Sequence, residues 1–229
     1  MESLLNAIDA NDATTGGHVR RVATYSLILA DAIGLDLRER RAVELVALFH
    51  DIGKIDEALF DIIHEDSRLT PQERRAIARH PERGAEVLRP LAAFYPQLAA
   101  GVLAHHEHWD GTGYPRGLKG RHIPFEARLV MVADTFDALT HDRPYRDGRS
   151  TQAATEIILN GRGTQFDPEM VDLFSLPPIQ KQFQDARRKG VRPKRGRRQL
   201  PVRTEPQAEI PITFRWRHPT LHKMPKPRR

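Results

Sequence analysis

Ala42-Val43-Glu44-Leu45-Val46-Ala47-Leu48-Phe49-His50-Asp51-Ile52-Gly53-Lys54-Ile55 (residues 42–55) carries both the fold and the chemistry of this chain. Val43, Val46, Ala47 and His50 recur at helical spacing, which predicts a helix from about Leu37 to His50 with one apolar face. That face ends on an imidazole. A carboxylate, a glycine and a lysine follow it. An adjacent histidine and aspartate with a cation nearby suit metal-assisted phosphate chemistry.

Working outward, the same periodicity continues. Val19, Val22, Ala23, Ser26, Leu27, Ala30 and Ile33 form one stripe of a helix over about 17–33, and Gly34 is placed to end it in a left-handed turn. A short helix is expected over about 3–11. Thr70-Pro71-Gln72-Glu73 is a helix start, with Thr70 as N-cap, Pro71 in the first turn and Glu73 closing a capping box. Helices are expected after Pro81, from Pro96 to about His106, from Pro124 to about Leu139, from Thr151 to Asn160, and from Asp167-Pro168 onward. Residues 109–123 hold Gly111, Gly113, Gly117, Gly120 and Pro115 and read as a loop. No segment sustains strand-type alternation, so the fold class is all-α.

The 229 residues allow one ordinary domain plus an extension. Hydrophobic content of 39% and charged content of 29% suit a water-soluble globular body. No run approaches the roughly 18 apolar residues of a membrane span, so the chain is not expected to be transmembrane. The start lacks the basic and apolar regions of an export signal, and cysteine is absent, so the expected compartment is the cytoplasm. Charge is divided unevenly. Residues 185–229 hold 15 Lys/Arg against 3 Asp/Glu, which leaves 21 against 27 for residues 1–184. We therefore expect a catalytic domain over 1–176 and a Pro/Arg/Lys-rich tail over 177–229, largely disordered because it cannot bury much. Nucleic acid or an anionic membrane fits the charge of such a tail, and so does simple solvation.

Seven side chains are candidate metal ligands: His18, His50, Asp51, His80, His105, His106 and Asp134. Neighbours on a helix point about 100° apart. His50 and Asp51 therefore do not clasp one ion together, and neither do His105 and His106. Ligands that diverge in this way suit two ions, with Asp51 able to bridge them. Imidazole and carboxylate donors without sulfur favour Mn, Fe, Zn or Ni over Mg or Ca. Each histidine taken alone is more often an ordinary surface or core residue. Asp134 lies in the apolar stretch 129–136, where a carboxylate needs a metal or an arginine partner. Glu107 and Asp110 are the acceptors that sequence suggests for the outer nitrogens of His105 and His106.

His50-Asp51-Ile52-Gly53-Lys54, together with His105-His106-Glu107-His108-Trp109-Asp110-Gly111-Thr112-Gly113-Tyr114-Pro115, resembles the HD-GYP family of the HD phosphohydrolase superfamily. Residues 17–22, 80–84, 132–140, 142–146 and 163–168 match further motifs in order and spacing. The resemblance implies an all-helical bundle around two or three metals and hydrolysis of cyclic di-GMP to pGpG or on to GMP. It places the metal ligands on the seven residues above, with Asp51 and Lys54 as catalytic residues. It also puts Lys54, Arg143, Arg146, Tyr114 and Asp137 around the substrate. The Gly113-Tyr114-Pro115 loop matches a segment tied to substrate access and to partners with cyclase domains. Relatives with a third metal carry an acid four residues before the first histidine, where this chain has Thr14. The expectation is therefore two divalent ions, Fe or Mn, and pGpG. The competing expectations are a non-hydrolytic module binding cyclic di-GMP or a cyclase, and a phosphohydrolase for another nucleotide.

Overall fold

The computed structural model describes residues 13–55, 70–142 and 147–189. The chain divides into two units, Met1–Arg195 and Gly196–Arg229. The second lies outside the described residues, as do the helix expected over 3–11 and the stretch 61–68.

Nine α-helices order the described part of the first unit: α1 (Ala13–Ala32), α2 (Leu37–Phe49), α3 (Pro71–Ile77), α4 (His80–Leu88), α5 (Pro96–Ala104), α6 (Phe125–Thr140), α7 (Thr151–Asn160), α8 (Pro168–Phe174) and α9 (Pro177–Lys189). Short 3-10 turns cover Ile52–Lys54, Arg89–Leu91 and Gly120–His122. The one β-type pairing among the described residues is an isolated bridge between Arg162 and Phe166, so the all-α class stands.

Local signals set the boundaries. Gly34 takes φ 72° and ends α1. Asp36 caps α2 through the amides of Arg38 and Glu39, and Glu39 returns a bond to the Asp36 amide. Thr70 and Glu73 make the expected capping box at α3. Asp167 caps α8, with Pro168 in the first turn. α6 is the central helix, burying Ala127, Leu129, Val130, Met131, Val132, Ala133 and Phe136. Against it pack α1 and α2, which bury Val19, Val22, Tyr25, Leu29, Val43, Leu45, Val46 and Phe49. The apolar stripe of α1 is wider than the sequence stripe, since Tyr25 and Leu29 also face inward. α4 and α5 pair beside the Ile52–Lys54 turn.

The domain boundary expected at 176/177 moves outward. Pro177-Pro178 reads as a breaker, yet these residues open α9, where a missing N–H costs nothing because first-turn amides have no helical partner. Ile179 and Phe183, one turn apart, are both buried. Phe183 stacks on Tyr25 and meets Phe136 and Phe174 edge-on. The remainder of the expected tail, 190–229, is outside the described residues.

Candidate metal centre

Each half of the centre is built at a helix end or on a helix face. His50 is the C-cap of α2 and His105 the C-cap of α5. His80 opens α4, and His18 and Asp134 sit inside α1 and α6. Carbonyls in the last turn of a helix have no helical partner, and three of the histidines use that. The Nδ1–H of His50 donates to Ala47 O (2.8 Å), that of His80 to Ile77 O (2.7 Å) and that of His105 to Val102 O (2.6 Å). Each bond fixes the tautomer and leaves the Nε2 lone pair facing the site, where those of His80 and His105 lie 3.1 Å apart. Glu107 and Asp110, suggested by sequence for this task, do something else. Buried Glu107 accepts the amides of Arg116 (2.7 Å) and Leu118 (2.8 Å), and Asp110 caps Thr112.

The donors gather into two sets, Asp51 with His80, His105 and His106, and His18 with His50 and Asp134, each within 4.8 Å of one another. Asp51 lies between them. Its Oδ1 is 3.3 Å from His80 Nε2 and 3.9 Å from His105 Nε2. Its Oδ2 is 3.5 Å from His50 Nε2 and 3.9 Å from His18 Nε2. His18 Nε2 lies 3.2 Å from Asp134 Oδ1. His50 Nε2 and Asp51 Oδ1 are buried without a hydrogen-bond partner. Buried polar atoms are ordinarily satisfied, so two unsatisfied lone-pair donors, one in each donor set, fit divalent cations. All seven ligand candidates are thus brought together, and the donor set of imidazole and carboxylate suits two ions sharing one carboxylate.

The charges of Asp51, His105 and His106 agree with this. Burial opposes ionisation of Asp51, but Lys54 Nζ at 2.8 Å and the surrounding imidazoles outweigh it and hold the carboxyl well below its ordinary range. Burial, with His106 adding to it, keeps His105 neutral, and burial pushes His106 down to about 3. Burial also works against a proton on His18, but Asp134 and Asp137 override it and raise the group to about 9.

Asp137 lies behind this shell, 1% exposed. It accepts from His18 Nδ1 (2.7 Å) and from Arg21 Nε (2.8 Å) and Nη2 (2.9 Å), and His141 Nδ1 is 3.0 Å away. The expected substrate contact of Asp137 is therefore not the position it holds, because its oxygens are engaged inside the protein. The arginine partner weighed for Asp134 appears at Asp137 instead. Arg21 lies i+3 from His18, and that spacing is the signal sequence reasoning passed over. We expect Asp137→Asn to weaken cation binding at the His18 set by about 10- to 100-fold, measured by Mn²⁺ titration, since it removes the charge and one of the two acceptor oxygens that aim a ligand.

Lys54 stands at the rim beside Asp51. Tyr114 is half-exposed, its ring stacked on His106 with centroids 4.9 Å apart. The glycine-rich loop is anchored: Trp109 N donates to Gln165 O and Asp110 N to Thr164 O. The Trp109 ring faces the buried Arg128 guanidinium, which also pairs with Asp167. Trp109 is thus not a free stacking surface. Arg143 and Arg146 are outside the described residues, and Thr14 falls in α1 with its side chain outside them.

Comparisons with known proteins point the same way. The family model described as HD domain matches residues 2–170. The chain is 39% identical over 174 residues to the cyclic di-GMP phosphodiesterase response regulator RpfG of Xanthomonas campestris pv. campestris, covering 75% of this chain and 46% of that protein. It is 38% identical over 174 residues to 3'3'-cGAMP-specific phosphodiesterase 2 of Vibrio cholerae, covering 75% and 33%. The chain thus spans less than half the length of these relatives. Among solved structures, the HD domain of the L. monocytogenes phosphodiesterase PgpH in complex with cyclic-di-AMP aligns with TM-score 0.56 at 23% identity, covering 86% of this chain and 100% of that one. At that identity the likeness concerns the fold.

Proposed function

This chain belongs to the HD domain family, in its HD-GYP branch, and on that footing we propose that it is a metal-dependent phosphodiesterase hydrolysing cyclic di-GMP to pGpG in the cytoplasm. The observation that carries the reading is Asp51, one oxygen turned to each of two donor sets. His18, His50 and Asp134 would hold one cation and His80, His105 and His106 the other. The set suits Fe or Mn, being nitrogen and oxygen without sulfur. Two such ions, when bound, polarise a phosphate oxygen and lower the pKa of an attacking water.

The chain supplies the remainder. Lys54, half-buried beside Asp51, offers an ammonium to the phosphate oxygens as charge builds on them. Arg143 and Arg146 fit the same task by residue type, since a guanidinium grips two phosphate oxygens at once. Tyr114 presents the outer part of its ring at the rim, where a nucleobase can stack. The backbone bonds that Glu107 accepts hold the Tyr114 loop beside the centre. A partner with a cyclase domain would meet the protein at this same loop. We expect Lys54→Ala to lower kcat by about 100- to 1,000-fold, the loss seen when one preorganised charge donor is removed, with both metals retained. Loss of metal in that variant would reassign Lys54 to support of Asp51.

A second reading takes the substrate as 3'3'-cGAMP, favoured by the name of the Vibrio cholerae relative. Anaerobic purification with elemental analysis, followed by chromatography of products from both dinucleotides, tests the proposal. About two metals per chain and pGpG from cyclic di-GMP are expected. Metal without turnover of either dinucleotide would leave a binding module or a different substrate, and a third metal with GMP as product would overturn the inference from Thr14.

A further inference from the structure

Helix α9 lies beyond the 2–170 match to the HD domain model, yet it closes one end of a ladder that begins at the metal centre. Along α1, His18, Arg21 and Tyr25 share a stripe at i, i+3 and i+7. Along α6, Asp134, Asp137 and Thr140 follow at three-residue steps. The first rung is His18 Nε2 to Asp134 Oδ1 at 3.2 Å. The second is Asp137, which accepts from both His18 and Arg21. Tyr25 stands about 10 Å along α1 from His18, at ~1.5 Å per residue. It is held by rings: Phe183 of α9 stacks on it at 4.9 Å between centroids and Phe136 of α6 meets it edge-on at 5.1 Å. Its hydroxyl is buried without a hydrogen-bond partner, so the ring is what it contributes. The last rung is Arg187 Nη2, donating to Thr140 O at 3.0 Å. That carbonyl is one of the unsatisfied acceptors at the end of α6, and the next residue, His141, contacts Asp137.

Resting on the two-cation reading above, we propose that α9 is a working part of the metal centre, in which Phe183 and Arg187 are positioning residues that hold α1 and α6 in register so that Asp137 keeps His18 aimed at its cation. The effect is confined to one half. His80, His105 and His106 are set by the carbonyls of Ile77 and Val102 and by the loop after α5, none of which α9 touches through these contacts.

The test is Mn²⁺ titration calorimetry on the full chain, comparing wild type with Arg187→Ala, Arg187→Lys, Phe183→Leu and the exposed control Lys181→Ala. Wild type and Lys181→Ala are expected to bind two Mn²⁺. In Arg187→Ala and Phe183→Leu, one event weakens by about 10- to 100-fold, as for loss of a residue behind a ligand, while the other keeps its affinity. Arg187→Lys, which still offers a donor to the Thr140 carbonyl, recovers most of the loss. Circular dichroism shows whether each variant is folded. Two unchanged events in folded Arg187→Ala would overturn the proposal, as would equal weakening of both, which is the mark of a general loss of stability. A wild type that binds no Mn²⁺ overturns the two-cation reading itself and this inference with it.

Discussion

Replacing His50 and Asp51 together with alanine is expected to remove both cations and reduce turnover of cyclic di-GMP by at least about a thousandfold, ~4 kcal/mol of barrier, while helicity survives. The size follows from where Asp51 sits. Its two oxygens face different donor sets, so a single substitution opens both. His50 compounds this, since its Nε2 is one of two buried site atoms without a partner. Helicity survives because the pair stands just past the last residue of α2, whose packing rests on Val43, Leu45, Val46, Ala47 and Phe49. Burying Asp51 in that shell is itself costly, and only Lys54 and the imidazoles offset it. Because those partners more than offset the burial, its removal is expected to lower the stability of the metal-free fold, visible as a lower Tm in chelator, while the helices are retained. Retained turnover in the double variant would sink the proposed function.

How much of this was legible in the sequence depends on whether a side chain or the backbone does the work. The seven ligand candidates are side chains, and their types and order mark them. The starts of α3 and α8 are equally legible, because Thr70, Glu73, Asp167 and Pro168 act through their own chemistry. The groups that orient the ligands are not. Ala47, Ile77 and Val102 contribute carbonyls, which any residue carries, so nothing in their identity shows the role. A clue did exist: His50 and His105 each follow the last apolar turn of a helix, where carbonyls need donors. α9 was obscured for another reason. Pro177-Pro178 and the basic residues after Asp185 read as tail composition, and composition outweighed the i, i+4 pair Ile179 and Phe183. Arg187, Arg188 and Lys189 also suit a helix C-terminus, where cations complement the dipole.

Gly53→Ala is the second substitution with a large expected effect, and it acts through space alone. A Cβ at Gly53 would lie 2.0 Å from His80 O and 2.6 Å from Gly84 N. Both are backbone atoms of α4, so no side chain can swing aside. Gly84 meets the turn from the other side, its own would-be Cβ 3.3 Å from Gly53 N. The two glycines let the turn after Asp51 touch α4 directly, and that contact puts His80 Nε2 within 3.3 Å of Asp51 Oδ1. Alanine must push α4 away by an ångström or more, carrying His80 with it. We expect a loss of about 3 kcal/mol, at the upper end for overpacking, or a fall in Tm of ~6–12 °C for a domain of this size. We also expect about a hundredfold loss of turnover, the usual cost of misplacing a reacting group by 1 Å. Gly34→Ala is the contrasting case. That residue holds φ +72° with nothing within 4 Å of a Cβ. Only backbone strain opposes the change, about 1–2 kcal/mol, and turnover should stay at the wild-type level. Thermal melts and activity of the two variants side by side separate the readings. If Gly53→Ala melts and turns over like Gly34→Ala, then the close approach of the turn to α4 does not set the position of His80.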